Sequence, residues 1–139
     1  MIRCMHPWRC FRDLFPHWDL HFADLAVAGR TCFVTGTVTL HSGLLQAERR
    51  SVIVHEMHHM VRGPVPQLAH FAAREEAAVR QGTARALISL DALVDAMRWA
   101  HDIHELADEL WVSVEVAQCR LDHLHPSERH YLRERLSDD

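Results

Sequence analysis

Hydrophobic and polar residues follow two different periods along this chain, and the first of them predicts a small sheet. Residues 18–25 alternate between apolar and polar side chains, as a half-buried strand does. Residues 31–40 are rich in valine, threonine and phenylalanine, and Gly36 interrupts them where two short strands can reverse direction. We therefore expect about three short strands in one antiparallel sheet. A loose helical spacing of aromatic residues before Pro16 predicts a short helix ahead of the sheet.

After the predicted sheet, apolar residues recur at the helical period. They predict a long helix that begins near Leu44 and ends at Gly63, which two prolines follow closely. A second long helix is expected to begin between Pro66 and Ala72 and to reach about Ile88. The chain therefore changes from strands to helices before its midpoint.

Residues 90–136 contain further amphipathic segments that predict four short helices. Ser113 is a favourable N-cap for the third of them, and Pro126 opens the fourth. The predicted fold is α+β, with a small antiparallel three-stranded sheet packed on the first long helix and an all-helical C-terminal part behind it. At 139 residues the chain is expected to be a single domain, with the sheet and long helices in residues 1–89 and a helical tail in residues 90–139.

The first long helix contains the motif H-E-x-x-H at residues 55–59. At about 100° per residue, His55 and His59 project about 40° apart on one helix face, so both imidazoles can bind one metal ion. Zinc takes neutral imidazole and carboxylate ligands, and a catalytic zinc site keeps one position open for water. Glu56 lies beside that position and is the candidate general base. His58 projects about 100° from His59 and is a poor ligand for the same ion.

Two histidines leave such a site one ligand short. The metzincin solution would need a glycine three residues and a histidine six residues after His59, where this chain has arginine and valine. The other common third ligand is a carboxylate on a following helix, here the second long helix. Glu75 and Glu76 are the candidates, and because they point about 100° apart, only one of them can face the metal. His70 is a rival ligand. For either carboxylate to reach the histidines, residues 63–71 must be largely loop, or the two helices must cross steeply.

Composition limits the class of protein. The chain is 48% hydrophobic and 24% charged, which is ordinary for a soluble globular protein, and its net charge of −4 argues against general affinity for nucleic acid. Its cysteines, at positions 4, 10, 32 and 119, show no C-x-x-C pair, so we expect free thiols in a reducing cytoplasm. Neither a signal peptide nor a membrane span is apparent. These features predict a cytoplasmic protein with no membrane partner.

Part of the tail resembles a helix-turn-helix: a segment that ends at Leu110, a short link through Trp111 and Val112, and a segment after Ser113. Phosphate neutralisation supplies most non-specific DNA affinity, yet the candidate recognition segment has a net negative charge. Its polar residues are Glu115, Gln118, Arg120 and Asp122. Direct binding of nucleic acid is therefore not expected. The tail is predicted to pack as a lid on the catalytic part or to hold a protein partner.

Residues from about 18 to 136 resemble the ImmA/IrrE metallopeptidases, a gluzincin-like family. The resemblance is based on the H-E-x-x-H motif, the Arg-Gly-Pro at residues 62–64, and Glu76, which stands thirteen residues before the serine of a Leu-Ile-Ser turn. In that family a glutamate after the metal-binding helix precedes small residues and a leucine pair, which puts Glu76 in the third-ligand position ahead of Glu75. Three positions depart from the family pattern: His58, Arg80 and Ser89.

The resemblance implies a zinc-dependent endopeptidase with one Zn²⁺ held by His55, His59 and Glu76, and with Glu56 as the base. It further implies that the substrate is a helix-turn-helix repressor encoded nearby, whose cleavage relieves repression in a phage, mobile-element or stress-response setting. The alternative is a non-catalytic regulator that binds a repressor or DNA through its helical tail. Glu56 favours the enzyme, because a structural metal site does not need a carboxylate there. The sequence does not identify the oxyanion-stabilising group; the available donors are Tyr131, His101 and His104.

Overall fold

A computed structural model describes residues 6–138 of the chain. Within these residues, three short strands are followed by a mostly helical remainder, as the α+β prediction requires. In chain order the elements are α1 (Pro7–Leu14), β1 (Asp19–Ala23), β2 (Gly29–Cys32), β3 (Thr37–His41), α2 (Gln46–Arg62), α3 (Ala69–Leu87), α4 (Leu90–Trp99), α5 (Ile103–Leu110), α6 (Val114–Asp122) and α7 (Pro126–Ser137).

The sheet is mixed, so the prediction of an antiparallel sheet is wrong. β3 lies in the middle, antiparallel to β2 and parallel to β1. The predicted reversal at Gly36 is confirmed, because this residue has a φ of +64° in the turn between β2 and β3. The chain reverses direction twice between β1 and β3, and β1 then pairs with the far side of β3, so these two strands run the same way. Alternation of side chains predicts strands but not their order.

Buried side chains form two clusters that meet at the end of α3. The first packs the sheet and α1 against one face of α2 and consists of Phe11, Val38, Leu40, Ile53, Val54, Met57 and Met60. The second fills the interior of the helical tail around Leu93, Ala107, Ala117 and Leu132. Leu87 packs against both clusters. The apolar face of α2 is thus fixed on the sheet, and another face is left to pack against α3.

The four predicted tail helices are confirmed as α4 to α7. The helices α4, α5 and α6 each begin after an N-cap residue whose side chain accepts a hydrogen bond from a backbone N–H in the first turn. These N-caps are Ser89, Asp102 and Ser113. Trp111 adopts the left-handed conformation with a φ of +58° and closes α5. α5 and α6 pack against each other across this short link.

The link between α5 and α6 is attached to α2. Arg50 donates to the carbonyl of Trp111, and its guanidinium carbon lies 5.2 Å from the centre of the Trp111 ring. The backbone N–H of Ser113 donates to Ser51 Oγ at 3.1 Å. α6 also packs along α3. The segment proposed as a recognition helix therefore lies against the helices that carry the candidate metal ligands.

The cysteines differ from the predicted free thiols at one position. Cys32 and Cys119 are free, but Cys10 is disulfide-bonded, so the expectation of free thiols is wrong at this position. Cys4 lies outside the described residues. Because disulfides are rare in reducing compartments, the cysteines no longer support a cytoplasmic location. Over residues 6–138, no helix is both long and apolar enough to span a bilayer.

Glu128 of α7 is a buried carboxylate between two arginines. Nη2 of Arg120 lies 2.9 Å and Nη2 of Arg85 2.7 Å from its oxygens, and the Arg120 side chain is only 4% exposed. Burial alone would raise the pKa of Glu128, but the hydrogen bonds from Arg120 and Arg85 together hold it well below its ordinary value. These ion pairs join α3, α6 and α7.

We expect Glu128→Gln to lower the free energy of unfolding at pH 7 by about 3 kcal/mol, because the buried charge of Arg120 loses its partner. The folded-state pKa of Glu128 is below its ordinary value of 4.5, so the contribution is complete above that pH and is lost as the pH falls. Urea unfolding between pH 7 and pH 3 should show a wild-type advantage that narrows below about pH 4.5. As the control, Glu134→Gln on the exposed side of α7 should change stability by at most about 0.5 kcal/mol. Equal stability of the wild type and Glu128→Gln at pH 7 would contradict the role of the ion pairs.

Candidate metal centre

Residues 55–59 lie in the second half of α2, and the helix brings two of their imidazoles together. Nε2 of His55 and Nε2 of His59 are 3.2 Å apart, and the ring centres are separated by 4.9 Å. One turn of helix between the two residues is the reason, because side chains four residues apart are neighbours on a helix surface. The helical spacing predicted from the sequence therefore produces the expected pair.

Glu76 of α3 completes the cluster. Its Oε1 lies 3.2 Å from His59 Nε2, and its Oε2 lies 3.4 Å from His55 Nε2. The connection from residue 63 to residue 68 is a loop, and α3 begins only at Ala69, as the reach of Glu76 toward the histidines required. In the described part of the chain, the donor atoms of His55, His59 and Glu76 all lie within 4.8 Å of one another.

The spacing of these atoms fits a metal ion. With bonds of about 2.0–2.1 Å, a tetrahedral zinc ion places its ligand atoms about 3.3–3.4 Å apart. Oε2 of Glu76 lies 3.2 Å from His59 Nε2 and 3.4 Å from His55 Nε2, and the two imidazole nitrogens are 3.2 Å apart, so these three atoms have the dimensions of one face of such a tetrahedron. His59 is 8% exposed, whereas His55 is 27% and Glu76 is 37% exposed, so the cluster is anchored in the protein and reachable from solvent. His55, His59 and Glu76 could therefore hold one metal ion.

His55 is suited to be a neutral ligand. Burial, and then the neighbouring His59, lowers its pKa to about 4, so the imidazole is uncharged near pH 7 and its lone pair is available. His59 is different, since its buried Nδ1 has no hydrogen-bond partner in the region that the structure describes. Partners at this nitrogen usually orient a ligating imidazole. The His59 ring is held instead by packing and by the contacts of its Nε2 with His55 and Glu76.

Glu56 is buried beside the cluster and is held by β2. Thr31 Oγ1 donates a hydrogen bond to Oε2 of Glu56, and a Cβ added at Gly29 would lie only 3.0 Å from Oε1. Burial raises the pKa of Glu56, while the hydrogen bond from Thr31 opposes this effect. The structure thus places Glu56 next to the three donor atoms without including it among them.

The two rival third ligands lie elsewhere. Glu75 makes a two-point ion pair with Arg62, whose Nη2 is 3.1 Å from Oε2 of Glu75. The exposed His70 packs its ring against Phe71, with 5.4 Å between the ring centres. Neither belongs to the three-residue cluster found among residues 6–138.

His58 faces α3 and, in the described residues, is not among the three donors. Its Nδ1 lies 2.9 Å from the carbonyl oxygen of Val54, and a Cβ at Gly82 would approach His58 Cδ2 to 2.7 Å. Gly82 is needed there because any side chain would displace this ring. His58 therefore helps to set the distance between α2 and α3.

Two clefts open from the cluster and share Gly29, His55 and Glu56. The first, about 430 Å³, we call the β2 cleft; it also contacts Arg30, Thr31, Phe33, His59, Pro64, Val65 and Glu76. The second, about 310 Å³, we call the α6 cleft; it also contacts Ala28, Ser51, Val52, Arg80, Thr83, Ser113, Glu115, Val116 and Cys119. The suggested oxyanion donors Tyr131, His101 and His104 line neither cleft, and Tyr131 donates instead to Asp91.

Sequence reasoning missed the residues that surround the cluster. Thr31 and Gly29 contact Glu56 only because β2 is the strand nearest to this part of α2, and the strand period carries no signal for that order. Arg80 could have been found, since it lies one helical turn after Glu76 and so shares its face. Val116 and Cys119 reach the α6 cleft through packing of the tail on α3, which only tertiary structure shows.

Comparison with known proteins gave no match to a family model, to a curated protein or to a solved structure. The family resemblance therefore stays an expectation. What the chain does must be inferred from the geometry of its own residues.

The two adjacent glutamates should differ sharply in metal binding. Glu76→Ala should weaken zinc affinity at least about 100-fold, because even the loss of a hydrogen-bond partner behind a ligand costs about 10- to 100-fold. Glu75→Ala removes only an ion pair at the edge of the cluster and should change the affinity less than about 3-fold. Competition titrations of zinc against a chromophoric chelator measure both constants. If both substitutions weakened zinc affinity equally, or if neither weakened it, Glu76 would not be a ligand.

Proposed function

We propose that this protein is a zinc-dependent endopeptidase with one zinc ion. The observation that carries this proposal is the tetrahedral spacing of His55 Nε2, His59 Nε2 and the Glu76 carboxylate, with the buried carboxylate of Glu56 directly beside them. Two imidazoles and one carboxylate are a ligand set of catalytic zinc sites, which leave the fourth position open. A zinc ion bound there would polarise a peptide carbonyl and make water easier to deprotonate.

Glu56 is the proposed general base. Thr31 fixes one of its oxygens, so the carboxylate is oriented before the substrate arrives. A pKa raised by burial makes Glu56 a better proton acceptor than an ordinary surface carboxylate. In the proposed reaction Glu56 takes a proton from the water as the water oxygen bonds to the carbonyl carbon, and it delivers that proton to the leaving amine as the peptide C–N bond breaks. His55, His59 and Glu76 are proposed to remain metal ligands during the reaction.

The substrate is proposed to bind as an extended segment. β2 is an edge strand of the three-stranded sheet, and its residues Gly29, Arg30 and Thr31 line the cleft over the cluster. An edge strand can pair with an incoming peptide through backbone hydrogen bonds. The family resemblance suggests that this segment belongs to a helix-turn-helix repressor, so that cleavage relieves repression. A flexible part of such a protein would fit, because the clefts are too small for a folded domain.

The alternative is a non-catalytic regulator that binds a repressor or DNA. DNA binding through α6 is disfavoured because this helix packs along α3 and lines the α6 cleft with Glu115, Val116 and Cys119. A regulator would also have no use for a buried carboxylate with a raised pKa beside a group of side chains that could hold a metal ion. These features favour the enzyme.

Replacement of Glu56 separates the two functions. Glu56→Gln should keep zinc bound, since this residue is not among the three donors, and should reduce cleavage about 10²-fold or more because the general base is lost. The assay follows zinc content and cleavage of unfolded casein, and of a helix-turn-helix repressor encoded beside this chain. Glu109→Gln, at an exposed position of α5, is the matched control and should cleave as the wild type does. Full cleavage by a zinc-loaded Glu56→Gln protein would refute the mechanism, and zinc-loaded wild type that cleaves neither substrate would favour the regulator.

A further inference from the structure

The α6 cleft is not used by the proposed chemistry, although it ends at His55 and Glu56. It lies between α2, α3 and α6, so the helical tail supplies one of its walls. Val52, Val116 and Cys119 give these walls apolar or weakly polar surface. A cleft with partly apolar walls therefore opens beside the donor atoms of His55, His59 and Glu76.

The hydroxyl groups in this cleft are already hydrogen-bonded within the protein. Thr83 Oγ1 donates to the carbonyl of Val79 at 2.8 Å. Ser51 Oγ donates to the Ala47 carbonyl at 3.0 Å and accepts from the N–H of Ser113 at 3.1 Å. Ser113 Oγ accepts from the N–H of Val116 at 3.3 Å. The hydroxyl protons of Thr83 and Ser51 are thus already used within the protein, so an entering polar group would lose hydration without gaining them, which favours an apolar occupant.

Charged residues lie at the rim of the cleft. Arg80 on α3 and Glu115 on α6 both line it, and both are exposed. An apolar interior with a charged rim is the usual anatomy of a recognition pocket, because the rim stays hydrated when the interior is filled. At about 310 Å³, the cleft is at the small end of the range for ligand pockets, so it suits one large side chain.

Continuity with the β2 cleft connects this pocket to the cluster. Gly29, His55 and Glu56 line both clefts, so a chain that follows β2 and presents a peptide group to the cluster passes the entrance of the α6 cleft. Successive side chains of an extended peptide point to opposite sides. One side chain next to the presented peptide group can then enter the α6 cleft.

We propose that the α6 cleft is a specificity pocket for an apolar side chain next to the cleaved peptide bond, and that Val116 and Cys119 of α6 set its size. The inference rests on the proposed peptidase function for its meaning, but the pocket itself can be tested without metal or catalysis. The substrate class that follows is an extended segment with a leucine-like or phenylalanine-like residue beside the bond that breaks.

Binding to the metal-free protein is the first test. N-acetyl-leucinamide should shift the methyl NMR signals of Val52 and Val116 and saturate at concentrations on the order of millimolar, as expected for a ligand of this size. N-acetyl-asparaginamide has nearly the same shape but a polar side chain, and should give at least about 10-fold smaller shifts at equal concentration. Equal shifts from both probes, or no shifts at these valines, would overturn the pocket.

Substitution of the pocket wall is the second part of this test. Cys119→Phe should fill the cleft and remove the response to N-acetyl-leucinamide, whereas Gln118→Phe, one residue earlier and exposed on another face of α6, should retain it. If Cys119→Phe does not fold, Val116→Ala enlarges the cleft instead and should favour N-acetyl-phenylalaninamide over N-acetyl-leucinamide relative to the wild type. An unchanged response in folded Cys119→Phe, or an unchanged preference in Val116→Ala, would contradict the assignment.

Cleavage of casein by the zinc-loaded protein is the final test. Mass spectrometry of the products should show apolar residues on one side of the cleaved bonds, and Cys119→Phe should shift this preference to smaller residues about 10-fold or more. Cleavage without such a preference would refute the pocket but not the peptidase. If the wild type cleaves nothing while N-acetyl-leucinamide still binds, the proposed function fails and the apolar pocket remains.

Discussion

The packing of α2 on α3 is the contact on which the candidate site depends, because two of its donors are on one helix and the third is on the other. Contacts on both sides of the cluster set this packing. His58 fits against Gly82, where no side chain interferes, and Arg62 holds Glu75 in a two-point ion pair. Glu76, the neighbour of Glu75, then faces the histidines. A rotation of α3 by about 100° would turn Glu76 away from the histidines.

A second constraint acts on Glu56 from the sheet. Gly29 allows β2 to approach α2 closely, since a Cβ at this position would lie 2.7 Å from Val52 Cγ1. Thr31 then reaches Glu56 from the same strand. The strand thus does two things at once: it keeps the carboxylate oriented, and it leaves its outer edge beside the cluster. The short hairpin at Gly36 and the parallel pairing of β1 with β3 keep β2 at that edge.

Sequence patterns predicted the features of the structure that depend on the periodicity of apolar residues or on the spacing between two residues. The helical period predicted α2, α3 and the tail helices, and the separation of His55 from His59 predicted that their imidazoles would meet. The glutamates were harder, because two adjacent carboxylates are equivalent in sequence and only the crossing of two helices distinguishes them. Strand order and the position of Thr31 depend on contacts that no local pattern encodes.

The helical tail is built into the site and is not a separate appendage. Its α5–α6 link is tied to α2 through Arg50 and Ser51, and α6 is fixed on the far side by Arg120, whose Nε donates to the Ile88 carbonyl at 3.0 Å. A recognition helix that must enter a DNA groove has to present one free face, and α6 uses its faces to pack on α3 and to line a cleft. The helix-turn-helix-like arrangement of α5 and α6 therefore places one wall of a cleft beside His55 and Glu56. Changes in α6 should thus alter what reaches His55 and Glu56 without altering the three donors themselves.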